Sequence, residues 1–284
     1  MRTVHTVAEL RATVAAWRKA GDRIAFVPTM GNLHAGHLDL VRRARELAPR
    51  VVCSIFVNPL QFGPNEDFDR YPRTLAEDSA KLAGVGCDLV FAPSVAEMYP
   101  NGRDGMTGVK VPGVSDILEG HFRPGFFDGV ATVVSVLFHQ VLPDVAVFGQ
   151  KDWQQLLIVK RMVADLHFPL EIVGHPTMRE ADGLAMSSRN QYLSPQERAL
   201  APEMHRTLQG VVQGLREGRR DFPALAGEAT VRLAGLGFQP QYVEIRHLDL
   251  SAPSAESSEW VVLAAAFLGK TRLIDNVAIS LEKK

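Results

Sequence analysis

Apolar positions along the chain recur with two spacings, and the first two thirds alternate between them. Val7, Leu10, Val14 and Trp17 are spaced for one face of a helix, and Gly21-Asp22 stops that helix before a short β-like run over 23–27. The same step repeats: helix over about 36–47 then strand over 51–57, helix 75–82 then strand 88–91, helix 129–141 then strand 145–148, helix 153–166 then strand 170–173. Short strands that are apolar throughout, each preceded by an amphipathic helix, predict an α/β fold: a Rossmann-like parallel sheet with helices on both faces. Past residue 176 the rhythm changes. Ser194-Pro195-Gln196-Glu197 combines an N-cap serine, a proline for the first turn and a glutamate placed for a capping box. It opens helices expected at about 195–215 and 221–235. Strands are expected over 241–246, 260–267 and 271–279, with Gly269-Lys270 as the turn between the last two. The reading is therefore a domain over 1–176 and a smaller C-terminal α+β domain with antiparallel strands over 177–284.

Composition narrows the functional classes. With 31 Lys+Arg against 32 Asp+Glu the net charge is −1, so no global field draws the chain to nucleic acid or to anionic lipid. The apolar run 260–269 is far below the ~20 residues of a bilayer-spanning helix. Glu9 and several basic residues interrupt the apolar pattern at the N-terminus, so a secretory core is not expected there. A soluble cytoplasmic protein without nucleic-acid or membrane partners is the expectation. Cys53 and Cys87 each sit inside apolar stretches without a second cysteine at metal or redox spacing, which predicts buried, inert thiols.

Candidate chemistry gathers where predicted strands run into the following segment, the edge at which open parallel sheets bind ligands. Pro28-Thr29-Met30-Gly31-Asn32-Leu33-His34-Ala35-Gly36-His37 places two glycines for close backbone approach and two imidazoles, three residues apart, at a helix start. That set suits a polyphosphate. The His-x-x-His spacing also fits ordinary polar histidines or part of a metal site, although no nearby His, Cys or Glu cluster supplies further zinc ligands. Asn58-Pro59-Leu60-Gln61 follows the next strand with neutral groups suited to a hydroxyl or carboxylate. In the charged stretch that follows, Asp67, Asp69 and Asp78 are candidates for Mg²⁺, with surface carboxylates the simpler reading. Gly149-Gln150-Lys151-Asp152 again joins a strand to a helix and brings an ammonium, with Gln155 one turn on. Met178-Arg179-Glu180-Ala181-Asp182-Gly183-Leu184-Ala185-Met186-Ser187-Ser188-Arg189 offers hydroxyls and a guanidinium beside a glycine loop, suited to clamping a transferring phosphate. Gly269-Lys270-Thr271 imitates a P-loop end, but Ala264 stands where that motif needs glycine.

Taken together, PTMGNLHAGH, FVNPLQFGPNEDFDRYPRT, FGQKDWQQL and READGLAMSSRNQYLS resemble the signature blocks of the pantoate:β-alanine ligases, in register from the first helix to TRLIDN. The His34-x-x-His37 block alone is similar to the wider HxGH nucleotidyltransferase class, so another adenylyl or cytidylyl transferase, or a nucleotide-sensing module that has lost its chemistry, stays open at this point. The resemblance implies ATP-dependent, AMP-forming condensation of (R)-pantoate with β-alanine through a pantoyl adenylate. It implies ATP contacts from Met30, Gly31, His34, His37, Gly149, Gln150, Lys151, Asp152, Met178, Met186, Ser187, Ser188 and Arg189. His37 is the implied proton donor, and His34, Lys151, Ser187, Ser188 and Arg189 the other catalytic groups. Gln61, Gln155, Met30 and Asn58 are implied for pantoate and β-alanine, with Asn58 supporting Gln61. Mg²⁺, a homodimer and a lid-like role for 177–284 are implied as well. This chain departs from the family's usual residues at Phe126 (often His), Val136 (often Lys) and Gln150 (often Glu).

Overall fold

The structure, a computed structural model, describes residues 1–63 and 68–281. It divides into two compact units, Met1–Gln150 with Gln154–Pro176, and Lys151–Trp153 with Thr177–Lys284.

The first unit holds a six-stranded sheet in the order β1-β4-β3-β2-β5-β6, with every pairing parallel. Its strands are β1 (Arg2–Val4), β2 (Ile24–Thr29), β3 (Arg50–Ile55), β4 (Leu89–Phe91), β5 (Val145–Gly149) and β6 (Glu171–His175). Helices α1 (Val7–Lys19), α2 (Ala35–Leu47), α3 (Leu75–Ala83), α4 (Val95–Met98), α5 (Glu119–Phe122), α6 (Phe126–Val141) and α7 (Trp153–Asp165) complete the connections. Alternating side chains of each strand feed two different cores, as the two-residue period of a strand requires. Ile24 and Phe26 pack with α1, α6 and α7 around Leu10, Phe138 and Ile158. Ala25 and Val27 pack with α2 and α3 around Val41 and Leu82. The sheet is thus covered on both faces, which is why its strands read as unbroken apolar runs. From β2 the chain moves outward through β3 to β4, then returns to build β5 and β6 on the other side of β2. The strand order therefore reverses between β2 and β5.

The second unit packs α8 (Pro195–Leu200), α9 (Glu203–Arg216) and α10 (Phe222–Gly235) with an antiparallel sheet of β7 (Phe238–Arg246), β8 (Glu259–Leu268) and β9 (Thr271–Ser280). Its core is centred on Trp260, Leu208 and Leu233. The expected capping box is present at Ser194 and Glu197, and Gly269-Lys270 closes the β8–β9 hairpin with Gly269 at φ 57°.

Two expectations need correction. The single helix expected over 195–215 is two, because Pro202 cannot donate to the preceding turn and its ring crowds the carbonyl four residues back. Strand β1, paired with β4, is not among the expected elements. Lys151–Trp153 group by contacts with the second unit. There the Trp153 Nε1–H donates to Leu248 O (3.0 Å) and the Asn276 side-chain amide to Lys151 O (2.8 Å). Cys53 and Cys87 are both buried and not disulfide-bonded. Among the described residues no helix is long and apolar enough to cross a membrane.

Candidate active site

In the first unit the predicted residues Met30–His37, Asn58, Gln61 and Gly149 all stand at carboxyl ends of neighbouring strands, and β2 and β5 flank the reversal of strand order. That is the position at which open α/β sheets form ligand crevices. The loop after β2 is held in an unusual backbone course: Gly31 lies at φ 84° and Asn32 at φ 50°. A side chain at Gly31 would meet Ile55 Cγ2 at 3.0 Å and Asp78 Oδ2 at 3.1 Å, so the glycine is required twice over. Asp78 fixes the loop. Its two oxygens accept from Asn32 N–H and Leu33 N–H, each at 2.8 Å, and the Thr74 hydroxyl adds a bond of 3.0 Å. The surface reading of this carboxylate is overturned, since Asp78 is 0% exposed. Asp69 is exposed, and Asp67 lies outside the described residues.

His34 is the N-cap of α2 and His37 its third residue, with ring centroids 4.0 Å apart. The two imidazoles form a reciprocal capping box: Gly36 N–H donates to His34 Nδ1 (3.1 Å), and His34 N–H donates to His37 Nδ1 (3.4 Å). A ring nitrogen that accepts from a backbone N–H carries no proton. In a neutral ring this places the hydrogen on Nε2, at the start of the helix. A partly buried pair, His175 Nε2 to Asp39 Oδ2 at 2.7 Å, ties the end of β6 to the same first turns of α2. It carries no sequence signal.

Asn58 is 1% exposed and uses its whole amide on protein. Its Nδ2 donates to Gln61 Oε1 and Gly129 O, both at 3.1 Å, while Oδ1 accepts from Leu60 N–H (3.2 Å) and the Tyr99 hydroxyl (2.8 Å). Four of four hydrogen bonds are taken, and one of them holds the Gln61 side chain. Burial pushes the Tyr99 phenol well above its usual range, keeping it a donor to Asn58. Gln61 in turn donates from Nε2 to Met30 Sδ at 3.0 Å. Gly129 lets α6 approach this turn: a Cβ there would sit 2.2 Å from Leu60 O. Phe126, one of the departures, packs under the Arg123 guanidinium at 3.6 Å, and Arg123 donates to Gln61 O (3.3 Å). Val136 packs against the adjoining core. Gln155 is half-buried on α7, and its neighbour Gln154 is buried, bonding Glu119 N–H, Val114 O and Ile117 O.

In the second unit, Lys151 and Asp152 lie in a 3₁₀ turn with Nζ 3.8 Å from the carboxylate. Met178 and Met186 are brought together by a small hairpin, with Met186 N–H donating to Met178 O (3.0 Å) and an antiparallel bridge between Arg179 and Ala185. Ser187 then caps the turn Ser188–Tyr192 through Arg189 N–H (3.2 Å), and Asn190 ties it to Ala185 O (3.0 Å).

The fold and the HxGH block at the strand reversal define a class: an α/β protein with a Rossmann-like parallel sheet and paired imidazoles at a helix start. The chain belongs to the pantoate–β-alanine ligase family, whose model, Pantoate-beta-alanine ligase, matches residues 2–278. It is 59% identical to the pantothenate synthetase of Stutzerimonas stutzeri over 282 residues, covering 99% of each chain, and 57% identical to that of Thioalkalivibrio sulfidiphilus, again covering 99% of each. The crystal structure of pantothenate synthetase from Thermus thermophilus superposes with a TM-score of 0.90 at 48% identity, covering 98% of this chain and 99% of that one. The Francisella tularensis pantoate–β-alanine ligase, crystallised with β,γ-ATP and β-alanine, gives a TM-score of 0.81 at 32% identity, covering 98% and 97%.

Proposed function

We infer that this enzyme activates (R)-pantoate with ATP and passes the acyl group to β-alanine. The observation that carries the reading is the His34–His37 capping box, which fixes two imidazoles at a helix N-terminus beside the strand reversal. In the first step a pantoate carboxylate oxygen attacks the α-phosphorus of ATP, the α–β phosphoanhydride bond breaks, and pyrophosphate leaves with the bonding pair. In the second, the β-alanine amine attacks the acyl carbon, the carbon–oxygen bond to AMP breaks, and the amine loses a proton as the amide forms.

In-line displacement at phosphorus needs alignment and charge stabilisation more than covalent help. His34, His37, Lys151, Ser187, Ser188 and Arg189 are assigned to the phosphates, where donors held in advance gain most as negative charge shifts. Met30, Gly31, Gly149, Gln150, Asp152, Met178 and Met186 complete the nucleotide contacts, and Gln61 and Gln155 hold pantoate. Support comes from the family membership and from the ATP and β-alanine bound by the Francisella relative. For Mg²⁺ the residues do not fit a protein-held site: the described residues contain no group of three His, Cys, Asp or Glu able to hold a metal, and both Asp78 oxygens are engaged by Asn32 N–H, Leu33 N–H and the Thr74 hydroxyl. No step is routed through it.

The test is product analysis by mass spectrometry with ATP, D-pantoate and Mg²⁺, with and without β-alanine. Pantothenate, AMP and pyrophosphate are expected together when β-alanine is present; ADP, or a nucleotide-linked product without amide, contradicts the reading. His37→Ala and Lys151→Ala are each expected to slow adenylate formation by ~10²-fold or more with the fold intact, as for loss of a preset donor. Near-normal turnover of either variant removes its assignment.

A further inference from the structure

The second unit contains a buried ionised cluster that none of the roles above uses. Asp275 on β9 is 4% exposed, and Arg179 grips it with both terminal nitrogens, Nη1 to Oδ2 at 2.8 Å and Nη2 to Oδ1 at 2.9 Å. His205 Nδ1 on α9 lies 3.3 Å from Oδ2. A buried ion pair is weak support for stability, because well-packed apolar residues do as well in its place. What distinguishes this one is where its remaining hydrogen bonds go. Arg179 Nη1 also donates to Gly183 O (3.1 Å), at the tip of the hairpin whose two arms carry Met178 and Met186. Arg179 Nη2 donates to Asn276 O (3.2 Å), Asn276 N–H donates to Asp275 Oδ1 (2.8 Å), and Asn276 Nδ2 donates to Lys151 O (2.8 Å). The network thus reaches both the hairpin leading to Ser187-Ser188-Arg189 and the turn bearing Lys151. The platform beneath it is stiff, since β9 pairs with β8 along its full length from Thr271 to Ser280.

We propose that Asp275 and Asn276 are positioning residues for ATP: through Arg179 and the Lys151 carbonyl they hold the Lys151 turn and the Met178–Met186 hairpin in one fixed arrangement. The proposal rests on the assignment of Lys151 and of residues 186–189 to ATP made above. Asn276 is the sharper probe, because its amide touches the Lys151 turn directly and its loss leaves the Arg179–Asp275 pair in place.

The experiment compares wild type, Asn276→Leu, Asp275→Asn and Ile279→Ala. The last removes core packing on the same strand without touching the network. Steady-state constants are measured for ATP and for β-alanine, with melting temperature alongside. Loss of one well-formed hydrogen bond at this point is expected to raise the KM for ATP about tenfold in Asn276→Leu, with the KM for β-alanine held within about twofold. Ile279→Ala is expected to lower the melting temperature while leaving the KM for ATP within about twofold of wild type. An unchanged KM for ATP in Asn276→Leu overturns the proposal, and so does an equal rise in Ile279→Ala, which would show a merely structural role. If Asp275→Asn does not fold, Asn276→Leu decides alone. A wild-type chain that binds ATP but makes no pantothenate defeats the functional reading instead, and ATP affinity by calorimetry then decides the positioning role.

Discussion

Replacing Asp78 with asparagine tests how the loop after β2 is held. Asp78 accepts from Asn32 N–H and Leu33 N–H at 2.8 Å and from the Thr74 hydroxyl at 3.0 Å, with no solvent access. Hydrogen bonds to a charged group are worth about 1.5–3 kcal/mol each, and a buried donor left unpaired costs about 1–3 kcal/mol. Asparagine keeps one oxygen, enough for Leu33 or Asn32 but not both, and turns an NH₂ toward the other N–H. The loss should therefore be about 3 kcal/mol, equivalent to a fall in melting temperature of about 6–12 °C for a unit of this size. Thr74→Val, which removes only the hydroxyl, should cost about 1 kcal/mol. Differential scanning calorimetry of the full chain is the assay, with ATP titrated as a second readout. Asp78→Asn should also weaken ATP binding, because Asn32 N–H and Leu33 N–H lose the acceptors that hold the positive-φ course of Gly31 and Asn32. A variant within about 1 kcal/mol of wild type would refute the reasoning.

Gly129→Ala should be poorly tolerated, since a methyl 2.2 Å from Leu60 O must push the Gln61 turn away from α6; a raised KM for pantoate larger than that for ATP is expected from steady-state kinetics. Cys53 and Cys87 should resist thiol reagents in the native chain and react only after denaturation. Burial drives both thiols up, Cys87 to about 12, and rapid native labelling would contradict it. Burial also raises the Asp275 carboxyl, but His205 and Arg179 outweigh it and hold the group below its usual value. A depressed native pKa gives stability that is present above the unfolded value of about 3.9 and lost as pH falls through the native one. As pH falls from neutral through about 4 and below, Asp275→Asn should accordingly lose less stability than wild type does, and parallel pH curves for the two chains would count against the linkage.

The sheet is legible in the sequence because β2, β3 and β5 are buried on both faces and contain almost nothing polar, while α1, α2 and α7 repeat at helical spacing. Strand β1 is not: it has three residues, of which only Val4 is buried, and its identity comes from pairing with β4. Pro202 is visible, but the capping box at Ser194 gives no sign that the helix it opens stops at Leu200. The site divides in the same way. His34, His37, Gln61 and Lys151 can be picked out because they sit at strand ends in distinctive blocks. Asp78, Gly129, Asp275 and Asn276 cannot be given their roles, since an acid on a helix reads as solvated and a glycine inside one as a mild defect. Those roles depend on contacts with residues 46, 69, 96 and 125 positions away along the chain, which no local pattern records.

Isotope transfer follows the proposed attack of a pantoate carboxylate oxygen on the α-phosphorus of ATP. Pantoate labelled with ¹⁸O in its carboxylate should deliver one labelled oxygen to the phosphate of AMP and keep the other in the amide of pantothenate. Unlabelled AMP, or label recovered in inorganic phosphate beside ADP, would contradict the adenylate route.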